Sequence, residues 1–241
     1  YLTQTDSMAQ AASRQSSYRL PVATTRGTIY DCSLPPLVNQ STHPVAAVMP
    51  QPDNITELLG HLTPQGILEV TEQIKNLRPF VTEVTDSHIY APDLDVFLVP
   101  DRYAYNQAAP HIVGYVDGSG QGVAGIEASY DSLLREYGGT SYVTYEVDAA
   151  GHPIGSPELE VEDRISLSKG GVVLTIDSRI QEAAAIAASR YIDKGAVVVM
   201  EVHSGDIKAA VSLPQFTPNN LEDDLDNPDS PFLNRTMCAY S

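Results

Sequence analysis

Basic residues are scarce in this sequence, and their scarcity excludes one class of partner. The chain has 14 Lys and Arg residues against 31 Asp and Glu residues, a formal net charge of −17 at pH 7. Nucleic-acid binding relies on clustered Lys and Arg side chains that neutralise phosphates. The composition therefore predicts no nucleic-acid partner and argues weakly against a site for a dinucleotide pyrophosphate.

Cysteine and long apolar runs are also rare. Cys32 and Cys238 predict neither a disulfide framework nor a zinc site, so we expect two free thiols. The six histidines stand singly, without the spacing of a metal site, and no metal or other cofactor is expected. No run approaches the roughly 18 apolar residues that cross a bilayer. Because the sequence begins at Tyr1, an upstream signal or membrane anchor stays open.

A glycine-rich stretch, GQGVAG at residues 120–125, matches the G-x-G-x-x-G pattern of dinucleotide-binding loops. A strand-like run precedes it, a helix-like run follows, and Glu146 lies about twenty residues further on, as that pattern requires. The helix predicted at residues 131–139 is short, however, and the following YVTYEVDAAGHPIG indicates a strand entering a hairpin turn. A dinucleotide-binding unit needs a long crossover helix and a parallel strand. We therefore reject nucleotide binding for this stretch.

The 241 residues are enough for one large or two small domains. Residues 1–20 are polar and predict a helix fragment or a loose arm, and residues 54–78 predict two helical pieces broken near Pro64-Gln65-Gly66. Three short apolar runs predict strands: FVTEV, DVFLVP and HIVGYV.

The pattern changes after a polar linker, SPELEVEDRISLSKGG. A β-branched strand is predicted to end at Asp177, followed by a helix capped by Ser178 with Gln181, or by Asp177 as the alternative. Helical spacing predicts one apolar stripe on this helix, formed by Ile180, Ala183, Ala184, Ala187 and Tyr191. GAVVVMEVHSGDIKAAVSLP then predicts a β-hairpin, with residues 196–200 buried on both faces.

Several stretches, taken in order, carry a resemblance to a known family: RGTIYD, RYAYNQAAPHIVGYV, GVAGIEASYDSLLREYGG, VVLTIDSRIQEAA and NRTMCAY. Together they resemble the front half of a class B penicillin-binding protein. The resemblance implies an α+β fold in two parts. Residues 1–165 would be a pedestal or dimerisation domain with short antiparallel strands. Residues 166–241 would be an incomplete transpeptidase (β-lactamase-like) domain, which in the family is a five-stranded antiparallel sheet flanked by helices.

The resemblance also implies a set of structural motif residues. Arg26 and Gly27 match the family's Arg-Gly motif, and Arg102 matches the Arg of its R-x-Y-P motif, although the proline is replaced by Tyr105. Three further residues match the G-x-x-G-x-E pedestal motif: Gly122, Gly125 and Glu127. The A-H-x-x-G continuation is matched by His111 and Gly114. We predict that Arg26 and Glu127 form a partly buried ion pair that orients the catalytic domain; the alternative is two solvated charges.

The family's reaction is acyl transfer by a serine that the Lys of an S-x-x-K motif activates. NRTMCAYS at residues 234–241 resembles the approach to that motif, with Ser241 a few residues before the nucleophile. We therefore expect no catalytic residue in this chain and no acylation by it alone. Ser166 and Lys169 also satisfy S-x-x-K, but they lie in the polar linker, without a helix to bring Lys169 to Ser166.

Partners and location follow from the resemblance. The parent protein would bind peptidoglycan stem peptides and β-lactams at the extracytoplasmic face of the bacterial cell membrane, anchored by an N-terminal segment that this chain lacks. SEDS-type glycosyltransferases and division or elongation proteins would be its partners, and a homodimer stays open. The alternatives are a non-catalytic pedestal or scaffold and a degenerate β-lactam-binding relative. The acidic stretch at residues 219–230 has calcium-like spacing but lacks the Gly and final Glu of an EF-hand, so we expect a solvated loop.

Overall fold

The computed structural model describes residues 17–91, 94–146 and 170–238. The chain folds into two compact units, each assembled from separate stretches of sequence. Of the described residues, the first unit takes in 17–24, 42–91, 94–100 and 139–146, and the second takes in 25–41, 101–138 and 170–238. The predicted domain boundary between residues 165 and 166 lies outside the described residues and stays a prediction.

The first unit has two sheets and two helices. Its elements are β1 (Ser17–Thr25), β3 (Thr42–Val48), α1 (Pro52–Leu59), α2 (Pro64–Ile74), β4 (Phe80–Glu83), β5 (Leu94–Pro100) and β6 (Gly139–Glu146). Strands β4, β3 and β5 form an antiparallel sheet with β3 in the centre, and β1 pairs with β6. Because successive residues of a strand face opposite sides, β3 contributes to two cores. Val45 and Ala47 pack in one with Tyr145, and Ala46 and Val48 pack in the other with helices α1 and α2.

Most predictions for this unit are confirmed. FVTEV and DVFLVP form β4 and β5, and two helices occupy the region around residues 54–78. The break between them lies earlier than predicted, because Thr63 caps α2 by accepting a hydrogen bond from the Gly66 N–H and Pro64 begins the helix. The predicted helix or arm at residues 1–20 is wrong for residues 17–20, which belong to β1; residues 1–16 lie outside the described part of the chain.

The second unit is built from short elements. They are β2 (Thr28–Tyr30), α3 (Pro110–Val113), α4 (Gly125–Ser129), α5 (Asp131–Glu136), β7 (Gly171–Val173), α6 (Ser178–Ser189), β8 (Gly195–Met200), β9 (Ile207–Leu213) and a 3₁₀ turn at Glu222–Asp224. Strand β2 pairs in parallel with β7, and β8 pairs antiparallel with β9 around a turn at Gly205, whose φ is +76°. The predicted hairpin is confirmed. The turn predicted after β6 and residues 156–169 of the polar linker lie outside the described residues, and Gly171 at the end of the linker begins β7.

The predicted strand HIVGYV is wrong. Ala109 has a positive φ of 49°, Pro110 opens helix α3, and Gly114 ends it with a φ of 84°. Proline suits the first helical turn, and glycine tolerates positive φ, so the backbone at both ends overrides the apolar pattern. The helix-like run after the glycines forms two short helices, α4 and α5, where the sequence predicts only the second as a separate element.

Predictions for helix α6 and strand β8 are also corrected. Asp177 caps α6 by accepting hydrogen bonds from the N–H groups of Arg179 and Ile180, so the alternative cap is correct and Ser178 is not the cap. Most of the predicted apolar stripe is exposed; Tyr191, for example, is 87% exposed, and only Ala184 is partly buried. Gln181 is buried instead, because its amide bonds both the N–H and the carbonyl of Ala210 in β9. Strand β8 is not buried on both faces, since its residues alternate between partly buried and exposed.

The described helices include none that is long and apolar enough to cross a membrane.

Candidate functional site

A buried ionic cluster forms where three distant parts of the second unit meet. Arg26 lies in the turn between β1 and β2, Arg102 follows β5, and Glu127 belongs to helix α4. Glu127 is completely buried, and its carboxylate lies between the two arginines. Its Oε2 is 3.0 Å from Arg26 Nε, and its Oε1 is 2.6 Å from Arg102 Nε. The ion pair predicted between Arg26 and Glu127 is therefore present and buried, and the two solvated charges of the alternative are not found.

Further contacts complete the environment of Glu127. The hydroxyl of Tyr103 donates a hydrogen bond of 3.2 Å to Oε1. Arg102 Nη2 also lies 2.6 Å from Oε1, where it adds opposite charge to the hydrogen bond made by Nε. Burial, followed by the negative charge of Glu127, raises the pKa of Tyr103, which keeps the phenol protonated and able to donate.

The two terminal nitrogens of Arg26 contact the glycine-rich stretch and Asp131. Its Nη1 donates to the carbonyl of Gly120 at 2.7 Å, and its Nη2 lies 2.8 Å from Asp131 Oδ1. The same carboxylate oxygen of Asp131 accepts a hydrogen bond from the Gly122 N–H at 2.9 Å. This backbone bond, and then Arg26, hold the pKa of the Asp131 carboxyl below its usual range.

Arg102 joins the cluster to the predicted Arg-Gly motif. Its Nη1 donates to the carbonyl of Gly27 at 2.8 Å, while the Gly27 N–H donates to the carbonyl of Leu134 at 2.6 Å. A side chain at Gly27 would collide with Tyr137. The predicted residues Arg26, Gly27, Arg102 and Glu127 therefore lie in one connected network.

The glycine-rich stretch binds groups of its own chain. The Asp117 carboxylate accepts hydrogen bonds from the N–H groups of Ser119 and Gln121, and Asp131 accepts one from Gly122. A phosphate-binding loop instead leaves such N–H groups for the ligand. Two carboxylates of the chain already occupy the loop, which supports the rejection of nucleotide binding.

Gly114, Gly122 and Gly125 permit close backbone approach. A Cβ atom at Gly122 would collide with the carbonyl of Glu127, and one at Gly114 with the carbonyl of Ala124. Gly125 has a φ of +58° and lies against the carbonyl of Ile112. The G-x-x-G spacing therefore lets the loop pack directly against α3 and against α4, the helix that contains Glu127.

His111 lies in a second cluster, which the sequence does not predict beyond its motif. Its Nε2 donates to the carbonyl of Pro231 at 2.6 Å, and its ring meets Phe216 edge to face with centroids 5.0 Å apart. Tyr115 and Phe232 complete the aromatic group. The cluster fixes the segment after β9 against α3, and single aromatics spread over this length of sequence give no signal of it.

Burial lowers the pKa of His111, and the nearby Arg235 charge lowers it further, against the opposing effect of the Pro231 bond. Below about pH 6.5 the imidazole of His111 becomes protonated in the unfolded chain but stays neutral in the folded chain. Protonation therefore favours the unfolded state, and the contribution of His111 to the free energy of unfolding is lost as the pH falls. We expect the melting temperature to fall more between pH 7.5 and pH 5 in the unmodified chain than in a His111→Gln variant, whose amide can still donate. The other histidines are common to both proteins, so equal decreases would contradict the prediction.

The residues that the sequence analysis considered for catalysis lie outside the described residues; they are Ser166, Lys169 and Ser241. Within residues 17–91, 94–146 and 170–238, His, Cys, Asp and Glu form no group of three or more that could hold a metal ion. Cys32 and Cys238 are free thiols, as predicted.

Comparison with known proteins identifies the family. No family model matches the chain. It is 30% identical over 244 residues to the peptidoglycan D,D-transpeptidase MrdA of Salmonella typhimurium, an alignment that covers 83% of this chain and 38% of that protein. It is 24% identical to MrdA of Escherichia coli over 288 aligned positions, covering 96% of this chain and 44% of the relative. The chain belongs to the class B penicillin-binding proteins.

The fold agrees with this membership. The penicillin-binding protein PBP2 from Helicobacter pylori superposes with a TM-score of 0.50 at 22% identity, covering 90% of this chain and 49% of that one. The mixed helix and strand architecture is therefore that of a class B penicillin-binding protein. The chain spans less than half the length of these relatives.

Proposed function

We propose that this chain is the pedestal and the first part of the catalytic domain of a D,D-transpeptidase, which cross-links peptidoglycan stem peptides through a serine acyl-enzyme. The observation that carries the proposal is the similarity to proteins named peptidoglycan D,D-transpeptidase over 83–96% of the chain. In this proposal the nucleophile is not among the residues of this chain, which is inactive alone. The parent protein works at the extracytoplasmic face of the bacterial cell membrane and is inhibited by β-lactams.

The buried ionic cluster has a positioning role in this proposal. Gly27 adjoins strand β2, and β2 pairs with β7 in the register Thr28 opposite Gly171. Strand β7 leads into helix α6, at the start of the predicted transpeptidase region. The cluster thus fixes a strand that directly contacts the beginning of that region. This adjacency supports an orienting role for the pair of Arg26 and Glu127 and for Arg102.

A scaffold role is the second candidate. Val198 and Met200 of β8 are about half exposed, and Tyr191 after α6 is more so. Uncovered apolar side chains of this kind mark surfaces that contact another protein segment. The candidates for covering this surface are the rest of the catalytic domain, a second copy of the chain, and a SEDS-type glycosyltransferase or another division or elongation protein.

Intact mass after penicillin treatment tests the proposal. We expect no adduct on the 241-residue chain and one penicilloyl adduct on the full-length parent, because the reacting serine belongs to the S-x-x-K segment. A Ser166→Ala variant of the parent should keep the adduct, since Ser166 has no catalytic role. An adduct on the short chain would contradict the placement of the nucleophile, and no adduct on either protein would favour the scaffold.

A further inference from the structure

One irregular segment, residues 229–236, follows the hairpin of β8 and β9 in the second unit. The structure describes all of residues 225–238, and they contain neither a helix nor a strand. In such a stretch the backbone N–H and C=O groups lack the regular partners that a helix or a sheet supplies, so other groups must bind them. The contacts that other residues make with the segment 229–236 therefore determine its path.

Ser212, in strand β9, binds this segment at two points through one hydroxyl group. Its Oγ donates a hydrogen bond of 3.0 Å to the carbonyl of Leu233 and accepts one of 3.0 Å from the N–H of Arg235. A serine hydroxyl has one proton and two lone pairs, so it can make both bonds at once. Ser212 is 1% exposed, so water has little access to these bonds. The hydroxyl thus does for the segment what a neighbouring strand does in a sheet.

The two bonds fix the register of the segment against β9. Leu233 and Arg235 bind the same oxygen from positions two residues apart. A shift of the segment by one residue would break both bonds and leave two backbone groups and the Ser212 hydroxyl without these partners. Each polar group left unpaired in a buried place costs stability, so the observed register is strongly preferred.

Other contacts hold the segment near the same point. The guanidinium of Arg235 donates to the carbonyls of Asp229 at 2.6 Å and Ser230 at 3.1 Å, which closes the segment into a loop. Nε2 of His111 donates to the carbonyl of Pro231. The loop is therefore shaped from inside by Arg235, while Ser212 attaches its final part to the sheet.

The contact with Ser212 lies close to the predicted nucleophile along the chain. Beyond Arg235, the N–H groups of Thr236 and Met237 bond to Asn234, inside the segment itself. The sequence analysis places the reacting serine a few residues beyond Ser241. Because the connection is short, a displacement of the segment at Ser212 would also displace the start of the stretch that carries the nucleophile.

We propose that Ser212 is a positioning residue for the acylation reaction, because its hydroxyl fixes the segment that leads to the reacting serine. Ser212 does not touch the substrate; it acts through Leu233 and Arg235. A misplacement of about 1 Å at a reacting group can lower a rate about 100-fold, so the loss of a contact that sets the register has a large expected effect. The inference rests on the proposed transpeptidase function.

The rate at which benzylpenicillin acylates the full-length parent tests this role. We expect Ser212→Ala to lower the second-order rate constant at least tenfold, while the final extent of acylation stays complete. The extent counts the folded molecules, so a variant that had only lost stability would show a lower extent with an unchanged rate constant. Ser212→Thr keeps the hydroxyl and should recover most of the rate.

Ser204→Ala is the matched control. Ser204 lies in the turn of the same hairpin, where its hydroxyl bonds the Glu201 carboxylate and accepts the Asp206 N–H. The substitution removes the same group from the same hairpin without affecting the segment 229–236. We expect its acylation rate constant to equal that of the unmodified parent. A rate constant in Ser212→Ala that equals the one in this control would overturn the proposal.

Hydrogen exchange of the same proteins, measured by mass spectrometry, separates the contact from its consequence. Peptides covering residues 229–236 should exchange slowly in the unmodified parent and faster in Ser212→Ala, because the Arg235 N–H loses its acceptor. Rapid exchange of the Arg235 amide in the unmodified parent would overturn the proposal even if the variant did not fold. An unmodified parent that forms no penicilloyl adduct would refute the proposed function and this role with it, whereas a normal adduct with an unchanged rate constant in Ser212→Ala would refute the role of Ser212 alone.

Discussion

Replacing Glu127 with Gln is expected to lower the free energy of unfolding of the second unit by about 3–5 kcal/mol, the usual effect of removing one partner of a buried ion pair. The substitution keeps the shape of the side chain but removes its charge. Glu127 is fully buried, while Arg26 and Arg102 are 8% and 15% exposed, so both cations would stay largely desolvated. Arg26 would retain Asp131, and Arg102 would have only neutral acceptors.

Urea unfolding followed by circular dichroism would measure this loss, with hydrogen exchange of the Gly27 amide reporting on the second unit. Glu83→Gln is the matched control, because that carboxylate is 84% exposed and its contact with His43 is long at 4.0 Å. Exposed pairs contribute about 1 kcal/mol or less, so the control should change little. A change below about 1 kcal/mol in Glu127→Gln as well would mean that water screens the cluster, contrary to its burial.

The sequence can predict the centre of this cluster but not its extent. The pair of Arg26 and Glu127 follows from matching two motifs of one family, which supplies spatial proximity that spacing alone does not. Asp131 and Tyr103 are missed because each is an ordinary residue in its local pattern, and its role arises only when separate segments pack together. The Asp131 contact depends on the Gly122 N–H, and a backbone donor leaves no trace in composition.

Local patterns predict elements well where the backbone is regular. The hairpin of β8 and β9 is predicted correctly because its turn residues and its apolar strand residues both indicate the same structure. The position of helix α6 along the chain is predicted correctly, but the face that it turns toward the core is predicted wrongly. Its small alanines make a weak apolar stripe, and the two hydrogen bonds between Gln181 and Ala210 turn a polar residue to the core instead. A periodicity count cannot register a side chain whose partner is the backbone of another strand.

Replacing Gly122 with Ala is expected to destabilise the second unit by at least about 3 kcal/mol, the upper range for overpacking a close contact. The new methyl group would occupy the position of the Glu127 carbonyl, and a backbone atom cannot move aside as a side chain can. The loop would have to retreat from helix α4. That movement would also lengthen the bond between the Gly122 N–H and Asp131, and so disturb the contact of Arg26 with the same carboxylate.

Two neighbouring glycines provide the controls for this measurement by urea unfolding. Gly118→Ala should be nearly neutral, because no atom lies within 4 Å of the added Cβ. Gly120→Ala meets no atom either, but its φ of +75° adds the strain of a left-handed backbone, about 1–2 kcal/mol. The expected order of destabilisation is therefore Gly122, then Gly120, then Gly118. A Gly122→Ala variant as stable as Gly118→Ala would mean that the loop does not press on the turn carrying Glu127, and the packing reason given for the G-x-x-G spacing would be wrong.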